Sequence, residues 1–193
     1  MRIAAGLEAP DQGVVRFQGR PMAGLRRGEL AQLLRESIGV IRRRGPSITS
    51  LRALDYVALP LLGSLGRLEA HRRAAGALGH VGATECGDMP WHALSDGDQA
   101  LVSIAHAIVR TPALIVADDP SAGLDSVERE GVIALLRETA DESGIAVLMT
   151  TPDLPDMLQS HLVMSLSRGR LIQPRREQGR VIDLRSKRPS SGA

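Results

Sequence analysis

Two adjacent carboxylates, Asp118 and Asp119, follow five apolar residues in the run ALIVADDPSAGLD, Ala113 to Asp125. Paired oxygen ligands of this kind suit a hard divalent cation such as Mg²⁺. An apolar run of that length reads as a strand buried on both faces of a parallel sheet, and ligands bind at the carboxyl ends of such strands. About twenty residues earlier stands Leu94-Ser95-Asp96-Gly97-Asp98-Gln99, just ahead of an apolar-periodic stretch. A hydroxyl and backbone N–H groups at a helix N-terminus can hold a phosphate. The same residues serve equally well as a cap, with Ser95 and Asp98 satisfying the first turn and the acids complementing the helix dipole. For Asp118 and Asp119 the plainer alternative is a strand-end pair that caps the following turn.

These residues need particular elements to position them. Ser95 opens a predicted helix through Val109, with Leu101, Ile104, Ala105 and Ile108 as its apolar stripe. A strand at 113–117 follows, then a helix from Ser126 to about Glu142 carrying Val127, Val132, Leu135 and Leu136. Gly144 stops that helix, and Ile145 to Met149 reads as a second buried strand. Strand, helix and strand in this order make a βαβ unit and hence a parallel sheet. Upstream, Gln12 to Met22 reads as a hairpin strand around Val15 and Phe17, and Gly28 to Ser37 as a short helix. A strand at Ile38 to Ile41 ends at Arg42-Arg43-Arg44-Gly45-Pro46. Residues 47–92 read as helical, clearest over Arg67 to Gly79. Leu162 to Ile172 is expected to close as a hairpin turning at Arg168-Gly169, and the basic, Ser- and Pro-rich stretch from Pro174 reads as disordered.

Composition excludes several classes. With 193 residues the chain can bury one substantial core. Phe17, Tyr56 and Trp91 are the only aromatic residues of those three types, too few for base-stacking recognition of single strands. A net charge of +2 does not call for a polyanion, so no nucleic-acid partner is expected. Lys187 is the only lysine and lies in the polar tail, so no lysine is available to grip phosphates in the folded part. Cys86 is the sole cysteine, which fits a reducing compartment. No apolar stretch is long enough to span a membrane; the longest, Tyr56 to Leu65, is about half a span and contains Pro60.

The order LSDGDQ, then ALIVADD, then PSAGLD resembles the ATP-binding cassette (ABC) nucleotide-binding domains of membrane transporters, over roughly residues 1–173. The resemblance implies an α/β fold: a P-loop NTPase-like parallel-sheet core with a helical insertion subdomain. The core would comprise residues 1–46 and 94–173, the helical subdomain 47–93, and a basic tail 174–193. The opening, IAAGLEAPDQGVVRFQGRPM, is similar to the segment just after the family's Walker A phosphate loop. On that likeness the chain starts just past the loop and is N-terminally truncated. A missing core strand is then expected beside 113–117, leaving that strand with an open edge and the protein marginally stable.

By the same resemblance Asp118 is the Walker B aspartate that holds Mg²⁺, and Asp119 stands where the family has its catalytic glutamate. Ser95, Gly97 and Gln99 fall in the signature that contacts ATP on an opposing subunit. Asp125 is the D-loop aspartate, and Arg43 takes the position of the Q-loop glutamine. A guanidinium cannot coordinate a cation; Arg43 either contacts phosphate or joins Arg42 and Arg44 on a solvated turn. Asp96 stands where the family has glycine, and Pro152 replaces the switch histidine, so that donor is absent. Asp119 is one methylene shorter than glutamate, which sets its carboxylate back by about an ångström where positioning governs rate.

The implied function is a degenerate ATP-binding subunit of an ABC transporter, using ATP and Mg²⁺ only with an intact partner cassette and a membrane permease. Leu51 to Leu65 is similar to the family's region near the permease docking surface. The implied location is cytoplasmic, peripheral to the membrane's inner face. The alternative is a scaffold or regulatory pseudo-ATPase that binds no nucleotide.

Overall fold

A computed structural model describes residues 1–41 and 45–172. Its centre is a three-stranded parallel sheet of β3 (Ile38–Ile41), β4 (Leu114–Asp118) and β5 (Ala146–Thr150), in the order β3-β4-β5. The register pairs Ile38 with Leu114 and Ile41 with Ala117 on one side of β4, and Leu114 with Ala146 and Asp118 with Thr150 on the other. β4 is therefore the central strand, hydrogen-bonded along both edges. This corrects the expectation of an open edge on that strand: among the described residues the free edges belong to β3 and β5.

Alternation along the strands divides the apolar residues between two cores. Ile41, Ile115 and Ala117 join the larger one, with Val147 and Met149 packed against it. Ile38 and Val116 face a smaller cluster with Ala5 and Met22. β5 is less enclosed than its sequence implies. Leu148 is 41% exposed and no residue of the strand is fully buried, because the cluster that covers Val116 does not reach across its register partner.

The larger core is built by α2 (Ala53–Ala58), α3 (Arg67–His80), α4 (Asp96–Ile108) and α5 (Ser126–Ser143). α4 is buried on most of its circumference, at Val102, Ser103, Ile104, Ala105, Ala107 and Ile108. It lies so close to β3 that a Cβ on Gly39 would sit 2.5 Å from the Ala107 carbonyl oxygen. Tyr56 stacks on His106 at 4.3 Å and meets Trp91 edge-on at 5.2 Å, which makes these rings packing residues of the same core. α5 turns Val132, Ile133 and Leu136 inward, whereas Val127, read as part of its stripe, is 78% exposed in the first turn.

Of residues 47–92, expected as helical, the structure makes helix only over α2 and α3 and short 3₁₀ turns at Leu59–Leu61, Thr84–Cys86 and Trp91–Ala93, with turns and extended backbone between them. Before β3 stand a minimal hairpin, β1 (Arg16–Phe17) with β2 (Arg20–Pro21), and α1 (Arg27–Ser37). After β5 come α6 (Leu154–Leu158) and the hairpin β6 (Ser165–Ser167) with β7 (Arg170–Ile172), turning at Arg168 and Gly169. Residues 1–7 form successive turns, joined by bonds such as Ala5 N to Met1 O. Arg43 and the tail from Pro174 lie outside the described residues.

Candidate functional site

The chemistry-bearing residues gather at the carboxyl end of the sheet. β4 ends on Asp118, whose Oδ1 accepts a 2.8 Å hydrogen bond from Thr150 Oγ1 on β5. The next residue, Asp119, turns into the left-handed region at φ +50°, a conformation aspartate tolerates better than most residues. Its amide donates to both the carbonyl oxygen and the hydroxyl of Thr150, each at 3.1 Å. Asp119 Oδ1 is buried with no hydrogen-bond partner among the described residues. A buried carboxylate oxygen without a donor is costly unless a cation or another donor meets it.

Behind this pair, a third acid ties the two strand-end turns together. Asp156, 1% exposed, accepts at Oδ2 from Ser121 Oγ at 2.9 Å and Thr151 Oγ1 at 2.7 Å. Ser121 belongs to the turn after β4 and Thr151 to the turn after β5. Thr151 Oγ1 also accepts from Asp153 N at 3.0 Å. Asp153 in turn meets Arg129 Nη1 of α5 at 3.0 Å. Pro152 lies within this turn and is exposed.

The second cluster surrounds the N-terminus of α4. Ser95 is the cap: its Oγ accepts from Asp98 N at 3.1 Å and donates to Asp98 Oδ2 at 2.7 Å. Asp98 also faces Cys86, and burial together with the nearby Asp98 carboxylate pushes that thiol up. Gln99 points back at the main chain, its Nε2 donating to Leu94 O at 3.1 Å. Gly97 is buried against α5, where an added Cβ would stand 2.6 Å from Glu128 Oε1. Asp125 caps α5 by accepting from Val127 N at 2.8 Å and Glu128 N at 2.9 Å. Glu128 Oε2 closes the box on Asp125 N at 3.3 Å.

Asp118 and Asp119 therefore share Thr150, while Ser95, Gly97 and Gln99 belong to the capping structure that links α4 to α5 and Asp125. Among the described residues no hydrogen bond or ion pair joins Asp118 or Asp119 directly to Ser95, Gly97, Gln99 or Asp125, while the Arg129–Asp153 pair ties the start of α5 to the turn after β5. Thr150, Thr151 and Asp156 are not legible as participants in the sequence, since their roles depend on the β4–β5 register and on the turns after the two strands. Glu128 is legible as the third residue after the Asp125 cap, though its contact with Gly97 depends on the packing of α4 against α5.

The two carboxylates suit a Mg²⁺ ion. Asp119 offers an oxygen without a donor, and Asp118 uses one oxygen on a neutral hydroxyl. No group of three or more His, Cys, Asp or Glu able to share a metal occurs among the described residues. One or two carboxylates, with water and phosphate completing the shell, is a common way for Mg²⁺ to bind.

An α/β core with a carboxylate pair at the end of its central parallel strand is an architecture that nucleotide-binding domains share. The profile of the ABC transporter family matches residues 1–122, and the chain belongs to that family. It is 32% identical over 185 residues to the methionine import ATP-binding protein MetN 1 of Rhodococcus jostii, covering 95% of this chain and 53% of that protein. It is 36% identical over 175 residues to the pyoverdine export ATP-binding/permease protein PvdT of Pseudomonas fluorescens, covering 90% of this chain and 26% of that one. The chain thus spans about half the length of the first relative and about a quarter of the second. Among solved structures it resembles the dimeric ATP-binding cassette MJ0796 bound to ADP and Pi, with TM-score 0.79 and 28% identity over 90% of this chain and 78% of that one. It also resembles cbiO1 of Clostridium perfringens, part of the transporter complex cbiONQ, with TM-score 0.77 and 29% identity over 89% of this chain and 68% of that one.

Proposed function

We propose that this chain is the ATP-binding subunit of an ABC transport system, degenerate in its own phosphate chemistry and dependent on an intact partner cassette and a membrane permease. The observation that carries the degenerate part is the sheet end itself, where Pro152 stands exposed in the turn after β5 and offers no donor to a phosphate. The closed N-terminus of α4 bears on a phosphate brought by the partner. The Ser95 hydroxyl is donated to Asp98, and Glu128 lies against Gly97. A phosphate arriving there would meet carboxylates instead of free donors. A carboxylate about 5 Å from a phosphate oxygen costs roughly 3 kcal/mol at an effective dielectric of 20, before screening.

In this reading Asp118 holds Mg²⁺, with Asp119 beside it in the place of the family's catalytic glutamate, and the ion when bound would neutralise charge on the phosphates it contacts. Thr150 and the Asp156 cluster hold the two strand ends in register beneath it. Asp119, in place of glutamate, orients water less well, and Pro152 offers no donor where the family has histidine. Catalysis of phosphoryl transfer is mostly positioning and charge stabilisation, so these substitutions remove what accelerates it. The permease partner is supported by apolar side chains presented by the helical region: Ile48, Leu59, Leu62 and Leu68 are 64, 47, 45 and 87% exposed. No helix among the described residues is long and apolar enough to cross a membrane, and the proposed location is the inner face of the membrane, held there by the permease.

The test is equilibrium binding of a fluorescent ATP analogue to the purified full chain with Mg²⁺. The expected result is no saturable binding at micromolar concentration. Micromolar, Mg²⁺-dependent affinity would overturn the degenerate part. The closure of Ser95 on Asp98 also favours a second reading, a scaffold that never engages nucleotide. Affinity purification of the tagged chain from its own cells separates the two. Recovery of an intact cassette and a permease, increased by ATP, supports the transport subunit; recovery indifferent to nucleotide supports the scaffold.

A further inference from the structure

We infer that Thr150 is a positioning residue for the strand-end carboxylates, setting Asp118 to receive a hard divalent cation and fixing the turn of Asp119 beside it. The inference rests on the reading of Asp118 as the cation ligand. Three contacts converge on this one residue. Its hydroxyl proton goes to Asp118 Oδ1 at 2.8 Å, its oxygen lone pair takes the Asp119 amide at 3.1 Å, and its carbonyl oxygen takes that same amide at 3.1 Å. A hydroxyl has one proton to give, so with Asp118 as acceptor it can only receive from Asp119.

The arrangement follows from the sheet. Thr150 is the register partner of Asp118 in the parallel β4–β5 ladder, at the last paired position of both strands. β-Branching restricts its χ1, which keeps the hydroxyl near one direction. Holding Asp118 by a single oxygen fixes the carboxylate plane and leaves Oδ2 without a protein donor among the described residues. Holding the Asp119 amide maintains the left-handed turn at φ +50°, the turn that leaves Asp119 Oδ1 buried and unpartnered. A neutral hydroxyl does this without cancelling the negative charge that attracts a cation. An arginine or lysine in its place would hold the carboxylates equally well and repel the ion. Partners that orient a ligating carboxylate from behind are worth about 10–100-fold in metal affinity.

The test is Mn²⁺ binding to the full chain, read from the free-ion electron paramagnetic resonance signal, with no nucleotide present. Thr150→Val keeps the β-branched shape and removes the hydroxyl. It is expected to weaken Mn²⁺ binding about tenfold or more with an unchanged melting temperature, and Thr150→Ser is expected to restore most of the loss. In the Asp118→Asn background the same Val substitution is expected to have little further effect, because Thr150 acts through that carboxylate. Wild-type affinity in Thr150→Val, or an equal loss in both backgrounds, overturns the inference while leaving the carboxylate reading intact. A wild-type chain that binds no Mn²⁺ at millimolar concentration overturns the carboxylate reading and the inference together.

Discussion

The acids of the helical region and those around the sheet end are satisfied by different chemistry. In the helical region they meet cations. Asp55 receives Arg52 Nε at 2.8 Å and lies 2.9 Å from His71 Nε2, while Glu69 is gripped by both Arg72 and Arg73. Those two guanidinium groups hold the Glu69 carboxyl at about 2. Around the sheet end, Asp118, Asp156, Asp98 and Asp125 accept from hydroxyls and backbone amides, and Asp119 Oδ1 has no donor among the described residues. Asp153, with Arg129, is the exception there. Acids paired with cations are finished structural elements. Acids fixed by neutral donors meet no opposing charge in these contacts, and at Asp118 the β4–β5 register fixes where the carboxylate sits.

The sharpest way to break this comparison is at Asp156. Asp156→Ala should leave Ser121 and Thr151 without their acceptor inside the fold and cost about 2–4 kcal/mol in urea unfolding. Asp156→Asn keeps an acceptor oxygen and should recover more than half of that. If the asparagine variant is as unstable as the alanine one, the charge itself matters and neutral donors do not account for this acid.

A smaller effect separates the two helix caps. Asp125→Ala removes the acceptor of two amides and should cost about 1–2 kcal/mol. Ser95→Ala removes the acceptor of one and should cost about 1 kcal/mol or less. Thermal unfolding of both variants checks the order. A Ser95→Ala chain as stable as wild type would show that the α4 cap is not a structural necessity, and would return Ser95 to the ligand reading.

Much of this is legible in the sequence alone. The apolar run 113–117 ending in two acids locates the central strand and the candidate site, because a buried strand and its polar terminus are both local patterns. Ser95 as a cap and Gly144 as a stop are local for the same reason. The neighbours of β4 are not legible, since strand order is a tertiary property, and among the described residues the open edges belong to β3 and β5 instead. Nor is Asp156 legible: a lone acid in LPDML gives no sign of burial until the turns carrying Ser121 and Thr151 close over it. Val127 misleads for a related reason. Its spacing fits the α5 stripe, yet it lies in the first turn beyond the reach of the core, where it stays exposed.

The smallest expected effect lies on the cation-paired side and has a defined pH dependence. The Arg52 hydrogen bond, aided by His71, holds the Asp55 carboxyl below its usual value of 3.8. A group whose folded value is depressed contributes stability that is fully present above the unfolded value and is lost as pH falls through the folded one. Asp55 therefore stabilises the fold at pH 7, and that contribution declines below about pH 4. Asp55→Asn should cost about 0.5–1 kcal/mol at pH 7, a modest figure because the pair is partly solvated. Its deficit against wild type should narrow steadily as urea unfolding is repeated from pH 5 towards pH 3. The sign is what discriminates. A deficit that stays constant across that range would mean that Asp55 acts through shape and hydrogen bonding alone, and the helical region would then hold its acids in the same way as the sheet end.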